Sequence, residues 1–171
     1  MAGWLFHFSE DPTIERFVPH VPATNPTEPP AVWAIDHEHA PLYWFPRDCP
    51  RVAVWPWPGR DTTPFRDAWG VSGRVQFVGR DWLERMRTTM LFRYSFDAER
   101  FERWPAASGY WVCRTTVEPI RVEPMGDLVH VHEALGIDLR VVDDLWPVID
   151  AAMSDEWDFS IVRKANAGPR R

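Results

Sequence analysis

Apolar positions in this chain come in short runs whose period changes often. Trp4, Phe6 and Phe8 alternate with Leu5, His7 and Ser9, the two-residue period of a strand. The alternation puts His7 and Ser9 opposite three aromatic rings, so the aromatic side is expected to face the core. Asp11 and Pro12 then read as the cap and first position of a short helix through Phe17. Five prolines between Val18 and Pro30 predict a loop over 18–30.

Ala31–Ile35 reads as a short strand, and Asp36 as the cap of a helix over His37–Phe45 that stops at Pro46. A turn at Arg47–Pro50 leads into a strand over Arg51–Trp55. The stretch 56–73, with prolines at its start and Gly70 and Gly73 at its end, reads as a long loop, either a lid or an insertion. Strands follow at Arg74–Val78, Leu91–Phe96, Tyr110–Arg114, Ile120–Glu123 and Ile137–Val142. Helices are expected after Asp81, Asp97 and Asp127, the third carrying Leu128, Val131 and Leu135 on one face and stopping at Gly136. Leu145, Ile149 and Met153 mark a last helix, and Phe159–Arg163 reads as a strand or one more turn. Short strands mixed irregularly with short helices indicate an α+β class and not a doubly wound parallel sheet. The expected organisation is a single domain over residues 1–171.

Composition narrows the function. With 45% hydrophobic residues the chain can build a real core. A net charge of -6, with no basic run apart from Arg170-Arg171, argues against extended DNA or RNA as ligand. Cys49 and Cys113 form no C-x-x-C pair, so neither a disulfide framework nor a zinc ribbon is expected. No leader segment and no long apolar run is read at the start or elsewhere, which leads to an expectation of a cytoplasmic protein with no membrane partner. The sequence sets no oligomeric state.

The candidate chemistry starts with His7 and Ser9. They read either as the floor of a ligand cleft or as the wet side of an edge strand. His37-x-His39 and His130-x-His132 invite a metal reading, but residues two apart do not share a helix face, so they are expected as solvated helix residues and no metal is expected. His39 is the exception, one turn before Tyr43. Arg47 in the Arg47-Asp48-Cys49-Pro50-Arg51 cluster is either a phosphate fork or part of a tight turn beside a buried cysteine. Trp55 and Trp57 are either core or a stacking wall for a planar ligand. Trp33 joins Ser9, His39, Arg47 and Arg163 as candidate ligand contacts, Arg163 because a closing element often packs beside the first strand.

Taken together, the segments LFHFSEDPTIERFVP and VWAIDHEHAPLYWF resemble the front half of the ADP-ribosyltransferase fold, a split β-sandwich with short peripheral helices. The whole chain is also similar to a bacterial family of unknown function that carries VWAID, HAPLYWFPRDCPR and a final FS-x-x-R-x-x-NA. Here that last element is Phe159-Ser160, Arg163, Asn166 and Ala167. The transferase resemblance implies NAD or a related nucleotide as a small-molecule substrate, with transfer or glycohydrolysis at its ribose. It implies His7 against a ribose and Tyr43 stacked on nicotinamide. The third residue of that triad, a Glu opening a strand, matches Gly109 here, and Glu118 or Glu123 is the nearest acid to replace it. That substitution leaves room for a ligand-binding domain without catalysis, or for a small biosynthetic enzyme using Cys49.

Overall fold

The computed structural model describes residues 3–22, 26–154 and 156–170. Among these, the strands in chain order are β1 (Trp4–Ser9), β2 (Val32–Ile35), β3 (Arg51–Trp55), β4 (Val75–Gly79) and β5 (Phe92–Asp97), then β6 (Glu102–Arg103), β7 (Tyr110–Cys113), β8 (Arg121–Pro124), β9 (Asp138–Val142) and β10 (Asp158–Val162). The helices are α1 (Thr63–Trp69), α2 (Leu83–Thr88), α3 (Leu128–Ala134) and α4 (Trp146–Ala152), with short 3-10 turns between. The class is α+β, with two sheets.

The chain divides into two compact units, one built from the chain up to Trp44 with Met90–Met125, the other from Phe45–Thr89 with Gly126–Arg171. The first holds an antiparallel sheet in the order β6-β7-β2-β1-β5-β8. Its core gathers Leu5, Val32, Ala34, Tyr94, Phe96 and Phe101. Across β1 and β5, Leu5 stands opposite Phe96 and His7 opposite Tyr94, so the side of β1 that carries His7 faces this core cluster. The expected sidedness holds only in part: Phe6 is buried, but Trp4 is 53% exposed and Phe8 half-buried, while Leu5 on the His7 side joins the core cluster, so both faces of β1 are partly covered. Alternation alone tells that two faces differ, and the neighbouring strand decides which is covered.

The segment after β1 forms no helix. Tyr94 Oη donates to the Asp11 carbonyl and accepts from the Ile14 N–H, and Phe17 exchanges both backbone bonds with Val117 at 2.8 and 3.1 Å. Those partners take the groups a helical turn would use, and a turn this short has little stability of its own. The helix expected over His37–Phe45 is also reduced, to a 3-10 turn at Ala40–Tyr43. Pro41 lies inside the expected helix, where it has no N–H to give, and fits only in the first turn of a shorter one.

The second unit holds the sheet β10-β3-β4-β9, in which β4 and β9 are parallel and the other pairs antiparallel. Val52, Val54, Phe65, Trp69, Phe77 and Ile149 belong to its core. Part of the stretch expected as loop over 56–73 is α1, whose Phe65 and Trp69 lie one turn apart and are buried in that core. A seven-residue helix that opens on Thr63-Pro64 and is capped by Gly70 is too short to show a period, and packing supplies its stability. Asp127 caps α3 as expected, its Oδ1 accepting from the N–H groups of Val129 and His130 at 2.9 and 3.1 Å. Phe159–Arg163, left between strand and turn, is largely the edge strand β10.

Candidate functional site

A grouping of polar and aromatic side chains in the first unit is built on β2 and β7. These strands pair with Trp33 opposite Val112 and Ile35 opposite Tyr110. Val32 and Ala34 point into the core, so Trp33 and Tyr110 project from the opposite face. There the rings form a connected cluster: Trp33 lies 4.9 Å from Trp104 and 6.5 Å from Tyr110, and Trp104 lies 6.1 Å from Tyr110. Tyr43 reaches it from its 3-10 turn, its hydroxyl 2.7 Å from that of Tyr110. All four rings are half-buried, which leaves part of each to solvent or to a ligand. The Trp33 indole N–H has no hydrogen-bond partner among the described residues.

Asp36 leaves the end of β2 beside this cluster, its N–H bonded to the Gly109 carbonyl at 2.9 Å. Its Oδ1 accepts from the His39 N–H at 3.0 Å and stands 2.7 Å from His39 Nδ1. Burial would push the Asp36 carboxyl up, but the two His39 bonds and the charges of His39 and Arg103 outweigh it and hold the group below the usual range. An ionised carboxylate only accepts, so His39 carries its proton on Nδ1. The His39 ring in turn lies against Gly109, which has φ of 83°. A Cβ on Gly109 would stand 2.3 Å from His39 Cγ. Glycine at 109 therefore has a local cause, because the imidazole fills the space a side chain would enter.

His7 stands on the other face of the same sheet. The β1–β2 ladder is limited to Phe6 opposite Ile35, and beyond it His7 Nδ1–H bonds the Trp33 carbonyl at 3.1 Å. A side chain here takes a place in the ladder that backbone would otherwise hold. The ring also packs edge-on to Phe17 at 4.9 Å and is half-buried. Ser9 Oγ accepts from the Asp11 N–H at 3.1 Å, closing the turn after β1. The structure thus gathers Trp33, His39 and Tyr43, and separates them by the thickness of the sheet from His7 and Ser9.

A family model spans residues 6–167. The chain belongs to a family of unknown function, DUF6886. No curated protein and no solved structure matches it.

In this family member the remaining candidates have mainly local partners. Glu118 is exposed and lies one residue past the Val117–Phe17 bridge. Glu123 is committed to Arg93 at 2.7 Å and Arg121 at 3.4 Å, and the Arg93 bond foremost holds its carboxyl below the usual range. Arg163 and Asn166 were expected beside the first strand, but β10 pairs with β3 in the second unit and brings them to the turn at Arg47 and Asp48. Arg163 Nε donates to the Arg47 carbonyl at 3.1 Å, and Asn166 Nδ2 to the Asp48 carbonyl at 2.8 Å. This pins the turn that leads into β3. Cys49 is fully buried, and burial pushes its thiol up to about 12, against a nucleophilic role.

The two His-x-His pairs split. His37 and His130 are exposed as expected, whereas His39 and His132 are buried, which corrects the expectation of solvent for His132. Among the described residues no three His, Cys, Asp or Glu side chains gather as a metal site, and no helix is long and apolar enough to cross a membrane. Sequence reasoning read Asp36 only as a cap and passed over Trp104 and Tyr110. Their meeting depends on the β2–β7 register, which leaves no local signal.

Proposed function

We propose that the first unit binds NAD or a related nucleotide on an ADP-ribosyltransferase-like scaffold and holds it without breaking its glycosidic bond. The observation that carries this reading is the half-exposed face of Trp33, Tyr43, Trp104 and Tyr110 beside the ionised Asp36. Aromatic faces stack a base or nicotinamide for roughly 1–3 kcal/mol per ring. NAD is a cytoplasmic metabolite, and the reading places the protein there.

Binding without turnover follows from Gly109. Cleavage at the ribose passes through an oxocarbenium-like centre that needs a carboxylate close by. At the matching position a side chain would collide with His39. Calorimetric titration of the full chain with NAD and with adenosine monophosphate tests the reading. Binding is expected, with Trp33→Ala weakening it about 10-fold and nicotinamide release at background. No heat with either compound, or full affinity in the Trp33→Ala variant, refutes it.

One observation favours a second reading, in which the domain transfers or hydrolyses ADP-ribose. Phe17 links the two remaining candidates, packing on the His7 ring and bridging Val117, next to Glu118. This version predicts nicotinamide release that falls at least about 100-fold in Glu118→Gln, the scale of losing one charged group at a transition state. Release that is absent, or unchanged by the substitution, removes it.

A further inference from the structure

We propose that Asp36 reads the sugar of the bound nucleotide, accepting hydrogen bonds from a vicinal diol, so that the site takes ribonucleotides over their dideoxy counterparts. This rests on the nucleotide reading above and deepens it.

The geometry of the carboxylate is the starting point. Oδ1 is held by two donors of one residue, the His39 N–H at 3.0 Å and Nδ1 at 2.7 Å. Two bonds to one oxygen fix the plane of the group and leave Oδ2 with no hydrogen-bond partner among the described residues. The Asp36 side chain is 29% exposed, so Oδ2 has a route to a ligand, while the His39 side chain beneath it is 8% exposed and acts as a rigid support. The backbone is fixed as well. Asp36 N–H bonds the Gly109 carbonyl, and the residue before it, Ile35, pairs with Tyr110, whose ring belongs to the aromatic face. A ligand ring stacked on that face would carry its sugar to the neighbouring edge, where Asp36 stands.

Charge decides between a cation and a hydroxyl pair. His39 Nδ1–H already stands against one oxygen of the carboxylate. Two neutral hydroxyls give Oδ2 short charge-assisted bonds without bringing a second cation beside that imidazole. A carboxylate just past the end of a strand holds ribose hydroxyls in dinucleotide sites of other folds in the same manner.

The test compares adenosine monophosphate with its dideoxy counterpart by calorimetry on the full chain, first with the unaltered protein and then with Asp36→Asn. The unaltered protein is expected to bind the dideoxy compound about 10- to 100-fold more weakly, the scale of a hydrogen bond to a charged group. Asp36→Asn is expected to weaken the ribonucleotide by a similar factor and to bind the two compounds alike. Equal affinities in the unaltered protein overturn the proposal and leave the nucleotide reading standing. Discrimination that survives in Asp36→Asn does the same. Absence of binding by both compounds overturns the two together. The first comparison needs no substitution, so a misfolded variant cannot mask the answer.

Discussion

Replacing Gly109 with alanine offers the most direct probe of the candidate site. Two costs add. The first is conformational: at φ of 83° an L-residue loses roughly 1–2 kcal/mol relative to glycine. The second is steric. The new Cβ would stand 2.3 Å from Cγ, 2.4 Å from Nδ1 and 2.7 Å from Cβ of His39. Ordinary carbon contacts begin near ~3.5 Å, so the ring must retreat by about 1 Å. That motion breaks the 2.7 Å contact between Nδ1 and Asp36, a hydrogen bond to a charged group worth roughly 1.5–3 kcal/mol. The expected loss is about 3–5 kcal/mol, readable as a shift in the urea midpoint at constant slope. The two parts separate in a double-mutant cycle with His39→Gly, which removes the ring and its Cβ together. In that background Gly109→Ala should cost only the conformational part, giving a coupling of at least ~1.5 kcal/mol. Gly126→Ala supplies an independent measure of that part, since its φ is 76° with nothing within 4 Å of the added atom. A cost for Gly109→Ala that matches Gly126→Ala, or is unchanged by His39→Gly, would refute the claim that His39 occupies this space.

Three further measurements address the second unit. Asp127→Ala removes both N-cap bonds of α3 and should cost about 1 kcal/mol in urea unfolding, and a loss below ~0.3 kcal/mol would show that the cap is idle. His132 is fully buried, donates Nδ1–H to the Leu128 carbonyl, and is held below its ordinary pKa by burial. Its contribution is therefore whole above about pH 6.5 and declines as pH falls below that value, because the unfolded ring takes a proton that the native one refuses. Stability should drop by up to ~1.4 kcal/mol per pH unit from this residue alone, and equal slopes for His132→Gln and the parent between about pH 6.5 and 5 would contradict the assignment. Cys49, with its thiol pushed up to about 12, should resist iodoacetamide at about pH 8 until denaturant is added. Rapid native labelling of Cys49 would restore it as a candidate nucleophile.

Much of this architecture is written in local pattern. The apolar runs at Arg51–Trp55 and Ile137–Val142, and the cap at Asp127, specify their elements through near neighbours, and the structure carries β3, β9 and α3 there. Elements whose form depends on distant partners were misread. Asp11–Phe17 carries good helix-start chemistry, yet Tyr94 and Val117 hold its backbone in an irregular path. The sidedness of β1 was only half legible for the same reason, since a period of two defines two faces and the neighbours of each decide how far it is covered.

The site divides along the same line. Residue chemistry nominated Trp33, His39 and Tyr43, which stand together, and His7, which does not join them. What composition and spacing could establish was the set of side chains able to stack, accept or donate. Which of them meet was decided by the pairing of Ile35 with Tyr110, of Asp36 with Gly109, and of His39 with the bare α-carbon beside it. Strand register over more than seventy residues of chain is a global property, fixed by the whole core at once, and no short window of sequence contains it.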